Sequence, residues 1–327
     1  MDFLSIFVGR FLLLFIGLVG NAVGLAVFYR KAMKKISTKI VYRTMLFMDS
    51  FFLCTQIFED SALSLGLDLR TLSTVSCKIR YYWNYSIGPV SPWLLVYITV
   101  ERFIAIEHKN IRLWKTKNFQ KLIIILIFIY NLIIYAPIAI LRKVFSKPLT
   151  TNQTDFYVKC DFPEPIQSTI MSTLDLINSA LLPFVIMFAF SVALICSIFK
   201  KRLRILDMRS KRDQKRLIRD IRFAFSSIML NITFVAFNLP LCLTNIFFAN
   251  VSDFLYNVFI VLFYCTFCIN FYILAFFNSI FRNELLIMFK IREPKVQHNT
   301  GTNKNTYNSK TANERNKCNS QNRTNTY

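Results

Sequence analysis

Seven long apolar stretches separated by short connections constrain this chain more than anything else in it. Residues 3–29, 40–66, 78–105, 119–141, 172–199, 221–249 and 254–278, to within a few residues, are each long enough to cross a bilayer as a helix. That takes about 20 predominantly apolar residues. A soluble domain breaks its apolar residues into amphipathic stripes instead. Here 54% of the 327 residues are hydrophobic and 34 are Phe, so the stretches dominate the chain. Seven Gly and nine Pro are too few for the turns of a barrel or loop-rich sandwich. The third stretch is the least hydrophobic, because "YYWNYS", Pro89 and Pro92 interrupt it, which a helix surrounded by other helices tolerates. The expected fold is all-α and integral to the membrane, a seven-transmembrane helix bundle.

The formal charge of +22 would point to nucleic acid on a soluble chain. Its placement argues for cytoplasmic membrane loops and against a nucleic-acid partner. Arg30, Lys31, Lys34, Lys35 and Lys39 follow the first stretch, and His108, Lys109, Arg112, Lys115, Lys117 and Lys121 follow the third. Residues 200–222 after the fifth hold eleven Lys and Arg against three Asp. The alternate connections are poor in basic residues: 67–77 has one Arg and 250–253 has none. Positive loops face the cytoplasm, which puts the N-terminus outside and the C-terminus inside. The first stretch starts Met1-Asp2 without a basic region or a small-residue cleavage site, so it reads as an uncleaved anchor. The Asn/Thr-rich tail, 291–327, is expected to be disordered.

Two His exclude most zinc sites and Ser/His/Asp chemistry, and no paired carboxylates or Cys clusters suggest an enzyme. Five of the eight cysteines (Cys54, Cys196, Cys242, Cys265 and Cys268) lie inside the stretches as small hydrophobes. Glu101 and Arg102 end the third stretch in "VYITVERFIAIEHKN". Neighbours in sequence do not share a helix face, so the pair is expected to need a partner elsewhere.

Polar residues inside the stretches carry a more specific signal. "GLVGNAVGLAVF" places Asn21 in the first and "LFMDSFFL" places Asp49 in the second. Cys77 opens the third, with Arg102 of "ERFIAIEH" twenty-five residues on. Pro183 and Pro240 fall in the fifth and sixth, and "NFYILAFFNSIFRNEL" closes the seventh. In these features the chain resembles a rhodopsin-like (class A) G-protein-coupled receptor over roughly residues 3–290. It departs from that pattern at Phe271 and Leu274, where the seventh-helix motif has Pro and Tyr. Asn238 replaces a usual Trp, Ser191 a usual Tyr, and the fourth stretch has no Trp.

The resemblance implies a receptor domain over 1–290, ending in a short amphipathic helix at 279–290. It also implies a heterotrimeric G protein as cytoplasmic partner and a disulfide between Cys77 and Cys160, both expected on the oxidising outer side. At the inner end it implies that Arg102 bonds both Glu101 and Asp220 until helix six swings outward. In the middle, an ionisable Asp49 must find partners. Family spacing sets Asn21, Ser91 and Asn270 around it, as sodium ligands or as a plain hydrogen-bond network, with no other cofactor expected. Asn152 of "NQT" is the expected glycosylation acceptor.

Asn84 stands where aminergic receptors carry an aspartate, which argues against a monoamine. Glu59, Asp60 and Asp175, with Tyr81, Tyr85, Asn238 and Tyr264, are the expected ligand-pocket residues. Carboxylates among aromatics suit a cationic group such as a peptide arginine. A short basic, amidated neuropeptide is the leading ligand, as for some invertebrate receptors, although Arg10, Lys78 and Arg80 are also placed to neutralise these acids. A chemosensory receptor for small environmental molecules shares the fold. A transporter would show internal repeats or several buried charges, and neither is visible. The seventh stretch has no lysine for a retinal Schiff base.

Overall fold

The computed structural model describes residues 3–107, 114, 116–148, 156–204, 211–247 and 252–293. Asn152 and residues 294–327 of the tail lie outside the described residues. Helix α1 is Phe3–Tyr29 and α2 is Lys39–Ser64, with a short 3-10 turn at Lys31–Lys35 between them. Helix α3 spans Thr74–Glu107, in two segments that meet at Gly88-Pro89. Helix α4 spans Lys117–Leu141, with an irregular turn at Tyr135. Helix α5 comprises Pro165–Leu176, a π turn at Ile177–Leu181 and Leu182–Arg204. Helix α6 is Lys211–Phe247, α7 comprises Asp253–Cys268 and Asn270–Phe277, and α8 is Ser279–Met288.

Six of these helices, all but α2 and α8, are long and apolar enough to cross a membrane. Helix α2 dilutes its apolar residues with Arg43, Asp49, Glu59 and Asp60. It nevertheless buries Tyr42, Met45, Leu46, Asp49 and Leu53 completely, so it sits inside the bundle rather than beside it. Helices α5 and α6 begin well before the apolar stretches at 172 and 221. Helix α6 carries its basic segment as extra helical turns, because Lys and Arg are good helix formers that need not enter the hydrocarbon.

Helix α3 is the central column. Its second segment packs against α2, α4, α5 and α6 and buries Val90, Leu94, Leu95 and Ile98. Helix α4 is peripheral, turning Leu122, Ile125, Leu126, Ile129 and Ile133 outward, as expected where the neighbouring solvent is lipid. The π turn of α5 ends at Leu181, two residues before Pro183. A proline has no N–H to donate and its ring crowds the preceding turn, and a wider turn accommodates both.

One end of the bundle is closed by an antiparallel hairpin. Strand β1 (Lys143–Pro148) pairs with β2 (Phe156–Asp161), with Val144 opposite Cys160. Cys160 is bonded to Cys77 near the start of α3, with 5.8 Å between Cα atoms. At the opposite end Asn278 caps α8 by accepting from the N–H groups of Ile280 (3.1 Å) and Phe281 (3.2 Å). Phe281 is fully buried against Phe28 and Phe271, and Arg30 pairs with Glu284 at 2.9 Å. These contacts fasten α8 to the foot of α1.

Candidate functional site

At the α8 end, Glu101 and Arg102 are both 1% exposed in the last turns of α3. Although neighbours in sequence, they contact each other directly, Arg102 Nε lying 3.2 Å from Glu101 Oε2. The turn before α2 supplies the remaining oxygens. Ser37 donates its hydroxyl to Glu101 Oε1, and Arg102 Nη2 donates to Thr38 Oγ1. That turn is itself held from α4, where Gln120 Nε2 donates to the Ser37 carbonyl at 2.7 Å. Helix α6 approaches Arg102 with a ring: the guanidinium lies 5.4 Å over Phe223.

The expected Arg102–Asp220 bond is not made. Asp220 lies beside the Arg219 guanidinium at 3.6 Å, on a partly exposed face of α6. A carboxylate with an adjacent cation in reach of water gains little from a buried partner. Asp220 therefore acts on Arg102 through its field, without contact. Ser37 and Thr38 were not singled out in the sequence, where they read as ordinary loop hydroxyls in "KKISTKI".

In mid-bundle Asp49 is fully buried and accepts from Asn270 Nδ2 at 2.7 Å. Ser91, also buried, is its other polar neighbour. Asn21, also fully buried, donates to the Phe267 carbonyl at 3.1 Å. Asp49 Oδ1 and Asn21 Oδ1 are both buried without a hydrogen-bond partner. Such acceptors are costly unless something positive meets them, and an all-oxygen donor set suits a small hard cation. Asp49, Asn21, Ser91 and Asn270 would hold it.

The divergent residues have their own contacts. Asn238 Nδ2 donates to Thr266 Oγ1 at 3.1 Å and to the Phe234 carbonyl at 2.8 Å, so it links α6 to α7. Asn231 Nδ2 donates to Thr99 Oγ1 and to Ser191 Oγ, both at 2.9 Å, with Ser227 Oγ 3.2 Å from Thr99 Oγ1. These four residues join α3, α5 and α6. Helix α7 breaks at Ile269 although residue 271 is Phe rather than Pro. The extra bulk rests on α1. A Cβ added at Gly20 would lie 2.9 Å from the Tyr272 ring and 3.1 Å from Phe271, and one at Gly24 would lie 3.2 Å from Phe271.

At the disulfide end the expected ligand residues fall into separate groups. Glu59 is paired with Arg80 at 3.0 Å and accepts from Asn84 at 3.1 Å, and Asn84 also accepts from Gln56 at 2.6 Å. Lys78 instead donates to the Ile140 carbonyl. Asp60 accepts from the Tyr264 hydroxyl at 2.8 Å. Asp175 accepts from Tyr135 at 2.8 Å, and Tyr135 in turn accepts from Asn178 at 3.1 Å. Tyr81 and Tyr85 face a cation of the chain itself: Arg142 lies 3.6 Å and 5.8 Å over their rings and 4.7 Å over Phe162.

The sequence reading missed Tyr135, Asn178 and Arg142. Asn178 is the hub. It accepts from Trp93 (3.1 Å) and Tyr130 (2.9 Å) and donates to Asn131 (3.0 Å) and Tyr135. Two asparagines in apolar stretches, "YNLIIY" and "LINSAL", were the available signal.

A seven-helix bundle with a buried Glu-Arg pair at one end and a disulfide-pinned hairpin at the other defines a class of membrane receptor. The sequence profile described as "7 transmembrane receptor (rhodopsin family)" matches residues 20–273, and the chain belongs to that family. No curated protein matches it. Members of the family are multi-pass plasma-membrane receptors that take extracellular ligands and signal through G proteins, and are not enzymes.

Proposed function

We propose that the chain forms one receptor domain over residues 1–290, with the disulfide end outside and the α8 end and the tail in the cytoplasm. The basic connections after α1, α3 and α5 support this orientation. The ligand is a short peptide with a basic group, and Asp175 is its anchor. One observation carries this choice: Asp175 makes its bond to a neutral tyrosine and has no ion-pair partner among the described residues, whereas Glu59 is already matched by Arg80. A charge-assisted bond from a ligand guanidinium would exchange for, or add to, the tyrosine bond.

Signal transfer is assigned to Arg102, released from Glu101, Ser37 and Thr38 as α6 and Phe223 move away. A sodium ion at Asp49, Asn21, Ser91 and Asn270 would stabilise the resting bundle. The test is a panel of short amidated peptides on cells expressing the receptor with a promiscuous G protein. Asp175→Asn should lower the potency of arginine-bearing peptides by about tenfold or more, as for loss of about 1.4 kcal/mol. Glu59→Gln should change it little. Equal potency on Asp175→Asn and the unaltered receptor removes the anchor.

A further inference from the structure

Arg102 and Arg142 are the arginines buried among the described residues, and their surroundings differ. Arg102 meets the Glu101 carboxylate and the Thr38 hydroxyl. Arg142, between the end of α4 and β1, is 7% exposed and meets no oxygen. Its guanidinium makes no hydrogen bond or ion pair among the described residues, and Nε is sealed from solvent without an acceptor.

Three rings stand where a counter-ion would be expected. The guanidinium carbon lies 3.6 Å over Tyr81, 4.7 Å over Phe162 and 5.8 Å over Tyr85. Ring faces attract the charge. They take none of the N–H groups, which lie in the guanidinium plane and match a carboxylate two at a time. The nearby acids are engaged elsewhere. Asp161 pairs with Lys159 at 2.7 Å and accepts from the Phe162 N–H at 2.8 Å, so Arg142 reaches it through its field alone. Asp175 accepts from Tyr135. A buried charge without a hydrogen-bonded partner is costly, and a ligand acceptor would remove that cost.

The guanidinium is held in place before anything binds. The Arg142 backbone N–H donates to the Ile138 carbonyl at 3.3 Å, which ends α4. Tyr81 stands one turn after Cys77, and Phe162 two residues after Cys160. The Cys77–Cys160 bond therefore joins the two elements that carry the closest rings. A donor fork fixed in advance loses little freedom on binding.

We propose that Arg142 is an anion subsite at the outer end of the bundle and takes a carboxylate of the ligand in a bidentate bond. Tyr85 sets it beside the peptide anchor. The Tyr85 ring is 5.7 Å from the Tyr135 ring, whose hydroxyl donates to Asp175. At about 3.4 Å per extended residue, one short peptide reaches both charges. The ligand is then dipolar, with a basic group for Asp175 and a carboxylate, from its C-terminus or an acidic side chain, for Arg142. The peptide half of this statement rests on the reading of Asp175 as an anchor, and the carboxylate half does not.

The test has two arms, both on the full chain. In detergent, thermal stability is followed as sodium phenylacetate or its neutral amide, phenylacetamide, is raised at constant ionic strength. Phenylacetate should raise the midpoint saturably and the amide should not. Arg142→Gln should abolish the shift, and Arg142→Lys, which keeps the charge without the fork, should weaken half-saturation about tenfold. Lys143→Gln, which removes an exposed neighbouring cation, should leave it unchanged. In cells, arginine-bearing peptides are compared as free acids, as amides, and as amides with an added glutamate. Arg142→Gln should lower the potency of the carboxylate-bearing forms about tenfold or more and spare the plain amides. A loss confined to free acids assigns the carboxylate to the C-terminus, and one confined to the glutamate forms assigns it to a side chain. No phenylacetate shift on the unaltered chain, a shift that survives Arg142→Gln, or an equal loss across all three peptide forms would each overturn the subsite. If Arg142→Gln does not fold, Arg142→Lys and the phenylacetate–phenylacetamide difference decide the matter. If no arginine peptide activates the receptor, the Asp175 anchor falls and the thermal arm alone decides Arg142.

Discussion

The cytoplasmic ends proposed for α3 and α7 treat their family motifs in opposite ways. In α3 the Glu-Arg-Phe residues are all present, and both charges are buried against each other and the Ser37-Thr38 turn. In α7 the Pro and Tyr are gone, yet the helix still breaks, at Ile269, and still packs tightly. The difference follows from what each motif has to do. A buried charge needs particular atoms around it, and no other residue type supplies them. A bend and a filled volume can be rebuilt from several residues at once, and here Gly20 and Gly24 on α1 make room for Phe271 and Tyr272.

That contrast predicts unequal losses. Glu101→Ala leaves the Arg102 guanidinium buried without its carboxylate and should cost about 3–5 kcal/mol in detergent-solubilised receptor, read as a fall in thermal stability. A loss below 1 kcal/mol would mean that the pair is solvated. Gly20→Ala should cost about 1–3 kcal/mol, because the Tyr272 and Phe271 rings cannot both retreat. The same substitution in a Phe271→Ala background should cost less. Additive losses would show that the glycine flat and Phe271 are unrelated.

The smallest effect lies at the hairpin. Burial disfavours the Asp161 carboxylate, but the Lys159 ammonium, the Phe162 N–H and the Arg142 charge outweigh it and hold its pKa below the usual range. Its contribution is therefore fully present above about pH 4 and is lost as pH falls through the lowered folded value. Asp161→Asn should lower thermal stability at neutral pH slightly, by the small contribution of this partly exposed carboxylate, and should remove the acid-side decline. An unchanged acid profile would assign the decline to other groups.

The fold was largely legible because bilayer-length apolar stretches leave few alternatives. The lone polar residues within them, Asn21, Asp49 and Asn270, were visible because hydrocarbon makes each one conspicuous. Asp220 was misassigned because spacing places a charge on a helix but does not say which neighbour neutralises it, and Arg219 was nearer. The Asn178 network and the Arg142 cage were illegible for a related reason. Each depends on which side chains from three elements converge, and no spacing within one helix encodes that. Ser37 and Thr38 look like loop residues until α3 is packed beside them.

The central claim is that the resting receptor holds Arg102 through the turn before α2 and not through Asp220. Basal G-protein activation without ligand, at matched surface expression, tests it most directly. Thr38→Val, alone and with Ser37→Ala, should raise basal activity severalfold, since bonds to a buried charge are worth about 1.5–3 kcal/mol each. Asp220→Ala should raise it less. A large rise with Asp220→Ala and none with Thr38→Val would contradict the account and return the latch to α6.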